Sequence, residues 1–261
     1  SKFCDKERRI SLEKIKRFLF LPYVGGIASG ESHLAYLRFL GVSTTNFHTG
    51  LDTLSSERIR VLAGREPAPD GTYFHDRHFT IVARMVPEKD IPTAIHAYAR
   101  YLELCRERGT PPRELVLCGD GPERGEIERL VQDYDLDTVR FRGFVQEREV
   151  CENLSTTVAL ILPSREEPWG LVINEAVSMG VPILSSNVCG ACDDLVRTGV
   201  NGFTFAPGEV EGLAQLMMMV SACEHEWTRL CHGSLQMVQR ADASRFAHAV
   251  ASALQLGTTV R

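Results

Sequence analysis

The chain has 261 residues, 44% of them hydrophobic, a formal net charge of −5 and a pI near 5.9. That supports a real core, in one large domain or two small ones, and argues against the basic footprint of a nucleic-acid binder. No run of about 18 apolar residues is present, which argues against a transmembrane helix, and no signal peptide is visible at the start.

Lys6 to Phe20 is basic and helical in pattern. Phe18 to Val24 is apolar but short, and Pro22 breaks it. Ile27 to Gly30 reads as a strand end or turn, Ser32 to Leu40 as a short helix and Thr44 to His48 as a short strand. Residues 63–78 are rich in Pro and Gly and read as a linker. From Phe79 onward short apolar runs alternate with helical segments. The expected strands are 79–84, 115–118, 138–142, 158–162, 182–186 and 203–205, and the expected helices are 91–107, 122–134, 147–155, 170–180 and 191–198. The strand runs are almost wholly apolar, as in a parallel sheet covered on both faces. The fold class is therefore α/β, a doubly wound, Rossmann-like parallel sheet. After Gly208 the chain is helical to its end, and Met217 to Met219 read as helix core.

Eight cysteines, at 4, 105, 118, 151, 189, 192, 223 and 231, lie scattered, several in apolar segments. That is not a disulfide framework, and a reducing, cytoplasmic setting is expected. Cys189 and Cys192 form a C-x2-C with no second pair at zinc spacing, and Asp193-Asp194 is not a D-x-D, so no metal site is expected.

The most informative stretch is Glu167-Pro-Trp-Gly-Leu-Val-Ile-Asn-Glu175. One carboxylate lies in a loop after an apolar strand, and the other lies in a helix that begins near Gly170. A helix start offers unpaired N–H groups, which suit a phosphate. The carboxylates beside it suit hydroxyl groups, since like charges repel. A phosphorylated, hydroxyl-rich ligand such as a sugar nucleotide fits both demands.

These residues resemble the E-x7-E motif of retaining glycosyltransferases of family 4, which have the GT-B fold. Thr80 to Asp90 resembles the family's strand and loop with a basic pair, Arg84 and Lys89. Leu115 to Glu123, Val139 to Phe144 and Asn201 to Phe203 resemble its later strands and turns. The resemblance runs from about Arg17 to the C-terminus.

It implies that residues 1–62 are a remnant of the N-terminal acceptor domain, a small and incomplete portion. Residues 63–78 would be the linker, and 79–261 the nucleotide-sugar donor-binding domain with C-terminal helices. The final helices would fold back toward the N-terminal portion. Ser1 is not Met, so the chain reads as a fragment, a processed product or a trimmed chain.

By resemblance, Arg84 and Lys89 bind the donor diphosphate, Glu175 the ribose hydroxyls and Glu167 the transferred sugar. Glu167 takes a charge-stabilising role, since retention in the family is assigned to a front-face route without a covalent enzyme intermediate. The spacing picks Glu167 over Glu166. Gly170, Leu171 and Val172 offer backbone N–H groups. Arg142, Gly143 and Phe144 line the base, and Gly119 and Gly121 lie near it. Pro168 and Asn174 replace residues that are often Gly and Leu in the family.

Each residue also has a plainer reading. Lys89 is then paired with Glu88 or Asp90, Glu175 serves the helix dipole, Trp169 is either a sugar-stacking face or packing, and Gly119-Asp-Gly121 is a tight turn. His48 is then an ordinary turn histidine rather than part of the interdomain cleft.

The expected activity is a retaining hexosyl transfer from a nucleoside-diphosphate sugar to an unknown carbohydrate, lipid or small-molecule acceptor. UDP is the expected nucleotide, with GDP and ADP as alternatives, and no cofactor is expected. Peripheral membrane attachment, if any, would come through the rest of the N-terminal domain. A non-catalytic nucleotide-sugar binding module is the alternative. A phosphorylase, which would need lysine-bound pyridoxal phosphate, and a sugar-nucleotide epimerase are weaker readings.

Overall fold

The structure, a computed structural model, describes residues 10–43 and 45–257. Lys6 to Arg9 of the expected first helix, Thr44 of the expected strand, and Cys4 lie outside the described residues. Six parallel strands form the main sheet: β3 (His78–Val82), β4 (Leu115–Cys118), β5 (Val139–Gly143), β6 (Thr157–Leu162), β7 (Ile183–Ser186) and β8 (Gly202–Phe205). Their order across the sheet is β5-β4-β3-β6-β7-β8. The chain winds outward from β3 in one direction and from β6 in the other. The crevice between the carboxyl ends of β3 and β6 is thus the topological switch point.

The apolar runs behave as a two-faced sheet requires. In β6, Ile161 faces one core, while Leu160 and Leu162 face the other, the period-2 alternation of a strand. The first face is covered by α4 (Ile91–Arg108), α9 (Val210–Ala222) and α10 (Glu224–Ala241). The second is covered by α6 (Glu147–Ser155) and α7 (Leu171–Ser178). Met217 and Met218 enter the core, whereas Met219 faces solvent. α5 (Arg124–Asp133) follows β4.

α8 spans only Cys192–Leu195, one turn instead of the eight residues expected. The Asn201 side chain accepts from Arg197 N–H (2.7 Å), and Gly199 N–H bonds Gly202 carbonyl (2.9 Å), so the chain turns back early. Seven described cysteines are free thiols, six of them buried.

The N-terminal portion holds α1 (Ile10–Phe20), β1 (Gly26–Ala28), α2 (Glu31–Phe39) and β2 (Phe47–Thr49), with β1 and β2 parallel. α11 (Ala243–Gly257) folds back onto these two strands, and Arg245 bonds Thr49.

α3 (Ser56–Ala63) is an element the sequence reading did not assign. Its signals are ordinary ones. Ser55 caps Arg58 N–H (3.2 Å), and Gly64 closes it in the left-handed region at φ 62°. Although it precedes the stretch read as a linker, its Ile59 and Ala63 pack with the core beneath α6 and α7.

That linker stretch is itself tied down. Arg77 is buried, its guanidinium bonds the carbonyls of Asp70, Thr72, Ser155 and Thr157, and it lies over the Trp227 ring at 4.7 Å. No described helix is long and apolar enough to cross a membrane.

Candidate active site at the switch point

Four of the sequence motifs leave the sheet at its carboxyl edge, as parallel strands dictate. The loop after β3 carries Arg84 and Lys89, and the loop after β6 carries Glu167. At the switch point these loops meet: the Lys89 ammonium pairs with the Glu167 carboxylate, side chains that are only 17% and 10% exposed. Lys89 therefore pairs with neither Glu88 nor Asp90, the plainer expectation. Glu166 is exposed, so of the two adjacent glutamates the one at E-x7-E spacing enters the site. Arg84 is exposed and has no ion-pair partner among the described residues.

Gly170 caps α7 in the left-handed region, at φ 95° and ψ 65°. A side chain there would be strained, and its Cβ would lie 2.8 Å from Cys189 Sγ. The turn aims the first N–H groups of α7 outward, and those of Leu171 and Val172 have no backbone acceptor among the described residues. Leu171 is exposed and Val172 half-buried, so the helix start is open to solvent.

Glu175 follows one turn later on the Leu171 face. It is half-buried and has no hydrogen-bond or ion-pair partner among the described residues. Burial, with a smaller effect from the Glu147 carboxylate, pushes its pKa up to about 7. Glu147 is itself paired with Arg58 of α3.

Trp169 is packing rather than an open stacking face. It is 7% exposed, its indole N–H donates to Asn174 Oδ1 (3.0 Å), and its ring lies 6.1 Å from His33 of α2. Asn174 in turn donates to the carbonyls of Asp52 (3.1 Å) and Ala241 (3.2 Å). The departure from Leu at this position thus ties the motif to the segment before α3 and to the end of α10.

Gly119 and Gly121 serve the cationic loop. A Cβ on either would collide with the carbonyl of Ala83 or Met85, so the glycines permit the backbone bond from Met85 N–H to Asp120 carbonyl (2.9 Å). Gly143 accepts from Gly119 N–H through its carbonyl (2.7 Å), beside exposed Arg142 and Phe144, which is 74% exposed. These three form an open shelf at the ends of β4 and β5. His48 has a buried ring nitrogen without a partner and lies on β2.

Sequence reasoning assigned no positioning role to Asp90, Arg165 or Asn174. The first two adjoin the charged motifs, but only the fold brings them together.

A doubly wound sheet with charged loops at its switch point, and a second small parallel sheet behind, is the architecture of GT-B glycosyltransferases. TarM of S. aureus, in a complex containing UDP, superposes with a TM-score of 0.75 at 15% identity, over 97% of this chain and 48% of that one. HepE of Anabaena in complex with UDP gives 0.72 at 20% identity, over 96% of this chain and 67% of that one.

The chain belongs to the glycosyl transferases group 1 family, whose sequence profile matches residues 69–231. Among curated relatives, glycogen synthase of Mycobacterium tuberculosis is 33% identical over 140 residues, 53% of this chain and 32% of that protein. The matched stretch spans 14% to 32% of the length of the curated relatives.

Proposed function

We propose that this chain carries the donor half of a retaining hexosyltransferase that uses a nucleoside-diphosphate sugar, with UDP as its nucleotide. The observation that carries the reading is the pairing of Lys89 with Glu167 at the switch point, with Arg84 on the same loop as Lys89 and without an ion pair among the described residues, and Glu175, likewise without a partner among them, on the helix that begins at Gly170. In this reading the cations serve a diphosphate and the carboxylates accept from hydroxyls. Complexes of the structural neighbours TarM and HepE with UDP support the choice of nucleotide.

In this reading Arg84 and Lys89 neutralise the diphosphate as the glycosidic bond breaks and charge gathers on the leaving group, which lowers the barrier electrostatically. Glu175 accepts from the ribose hydroxyls. The diphosphate draws Lys89 from Glu167, and the freed carboxylate, with the N–H groups near Gly170, holds the sugar hydroxyls. Glu167 acts as a binding and charge-stabilising group and not as a nucleophile. Gly143 and Phe144, with Arg142, border the base.

Calorimetric titration with UDP, GDP and ADP tests the reading, with Glu175→Ala as control. Saturable binding of UDP that weakens in the variant is the expected result. Tighter binding of GDP or ADP would reassign the base, and binding of none would reject the donor site.

A further inference from the structure

Lys89 and Glu167 lie 78 residues apart, and their contact depends on how two loops are held. The residues beside them do the holding. Asp90 caps α4 in the left-handed region, at φ 47° and ψ 42°, and its side chain is buried. That conformation is uncommon outside glycine and needs support from its surroundings. Asp90 Oδ2 accepts from Thr93 Oγ1 (2.8 Å) and lies 2.9 Å from Arg165 Nε, while Oδ1 accepts from Arg165 Nη2 (3.2 Å). The Glu88 carbonyl accepts from the N–H groups of Arg165 (2.8 Å) and Glu166 (3.2 Å). Both neighbours of Lys89 are therefore bound to the two residues before Glu167.

Exposed ion pairs are weak as a rule. This one differs because its carboxylate is buried and engaged by two guanidinium nitrogens, a geometry that fixes orientation as well as distance.

We infer that Asp90 and Arg165 are positioning residues, a clamp that sets the Lys89 ammonium at the switch point before any ligand arrives. The consequence for nucleotide binding rests on the donor reading above. The clamp also has a readout independent of it. Only five lysines occur, at 2, 6, 14, 16 and 89, so Lys89 is the single one beyond residue 16. The ammonium spectrum of protein labelled with isotope at lysine nitrogen therefore contains few signals, and Lys89→Arg assigns the one of interest.

Arg165→Ala and Asp90→Gly remove the clamp, the second without straining the left-handed turn. Arg165→Lys keeps the charge but not the two-pronged geometry. The expected result is that both clamp-breaking variants shift the Lys89 signal and leave the Lys14 and Lys16 signals in place. UDP affinity falls about tenfold in Arg165→Ala, within the coupling range of residues in contact, and is partly restored in Arg165→Lys. In a Lys89→Ala background Arg165→Ala has no further effect. An unchanged Lys89 signal overturns the clamp. So does an equal loss of UDP affinity in both backgrounds, which marks general structural damage. If the unaltered protein fails to bind UDP, the donor reading falls, and the lysine spectrum alone decides the clamp.

Discussion

Glu175→Gln separates the stability of the protein from its binding function. The Glu175 carboxyl has its pKa raised from 4.5 to about 7, chiefly by burial. The folded state therefore holds this proton more tightly than the unfolded chain does. Stability falls as pH rises from about 4.5 to about 7 and is flat on either side. Each unit of pKa difference corresponds to about 1.4 kcal/mol, so the charged form costs about 3 kcal/mol of stability above neutral pH. Replacing the carboxylate by a neutral amide of similar size removes that cost.

The expected outcome is a variant close to the unaltered protein at about pH 4.5 and about 3 kcal/mol more stable at about pH 8. Urea unfolding at both pH values reads it directly, and the melting temperature at the higher pH rises by roughly 6–12 °C. The same variant loses UDP affinity. Glu147→Gln in the unaltered background lowers the midpoint of the pH dependence, because the Glu147 charge is the second cause of the shift. If Glu175→Gln gains no stability with rising pH, the carboxylate is not held uncompensated, and the argument for a poised acceptor fails.

Other consequences follow from the same geometry. Because ribose hydroxyls favour the charged form of Glu175, UDP binding near neutral pH releases a proton, so its calorimetric enthalpy varies with the ionisation enthalpy of the buffer. Lys89→Ala and Arg84→Ala each remove a charge-assisted contact worth about 1.5–3 kcal/mol. UDP affinity falls roughly ten- to hundredfold in each by titration, and the binding becomes less salt-dependent. Asn174→Leu strands the Trp169 indole N–H and the Asp52 carbonyl, while the Ala241 carbonyl keeps its bond from Leu54 N–H. At about 1–3 kcal/mol for a buried polar group left unpaired, denaturant unfolding shows a loss of at least about 2 kcal/mol.

The sheet was legible because its strands are buried on both faces. Runs such as Val158 to Leu162 carry no polar residue, and the helices between them are long enough to declare a period. The charged motifs were legible because each follows its strand directly. α3 was not, since eight residues carry too little periodicity to stand out and its partners, α6 and α7, lie about a hundred residues away. The short α8 escaped for a similar reason, because the Asn201 side chain that ends it acts through a turn. Pairings across the site were hidden too. Lys89 sits between Glu88 and Asp90, and only the fold selects Glu167 for it and Arg165 for Asp90. Trp169 read equally as packing or as a sugar platform, until its burial and its bond to Asn174 made it packing in this structure.

The central claim is that the switch point between β3 and β6 binds the diphosphate and ribose of a nucleotide. A crystal structure of the protein with UDP tests it most directly. The account predicts the diphosphate between Arg84 and Lys89, the Lys89–Glu167 contact opened, and both ribose hydroxyls on Glu175. UDP bound elsewhere, with Lys89 still on Glu167 and Glu175 still without a partner, would contradict it.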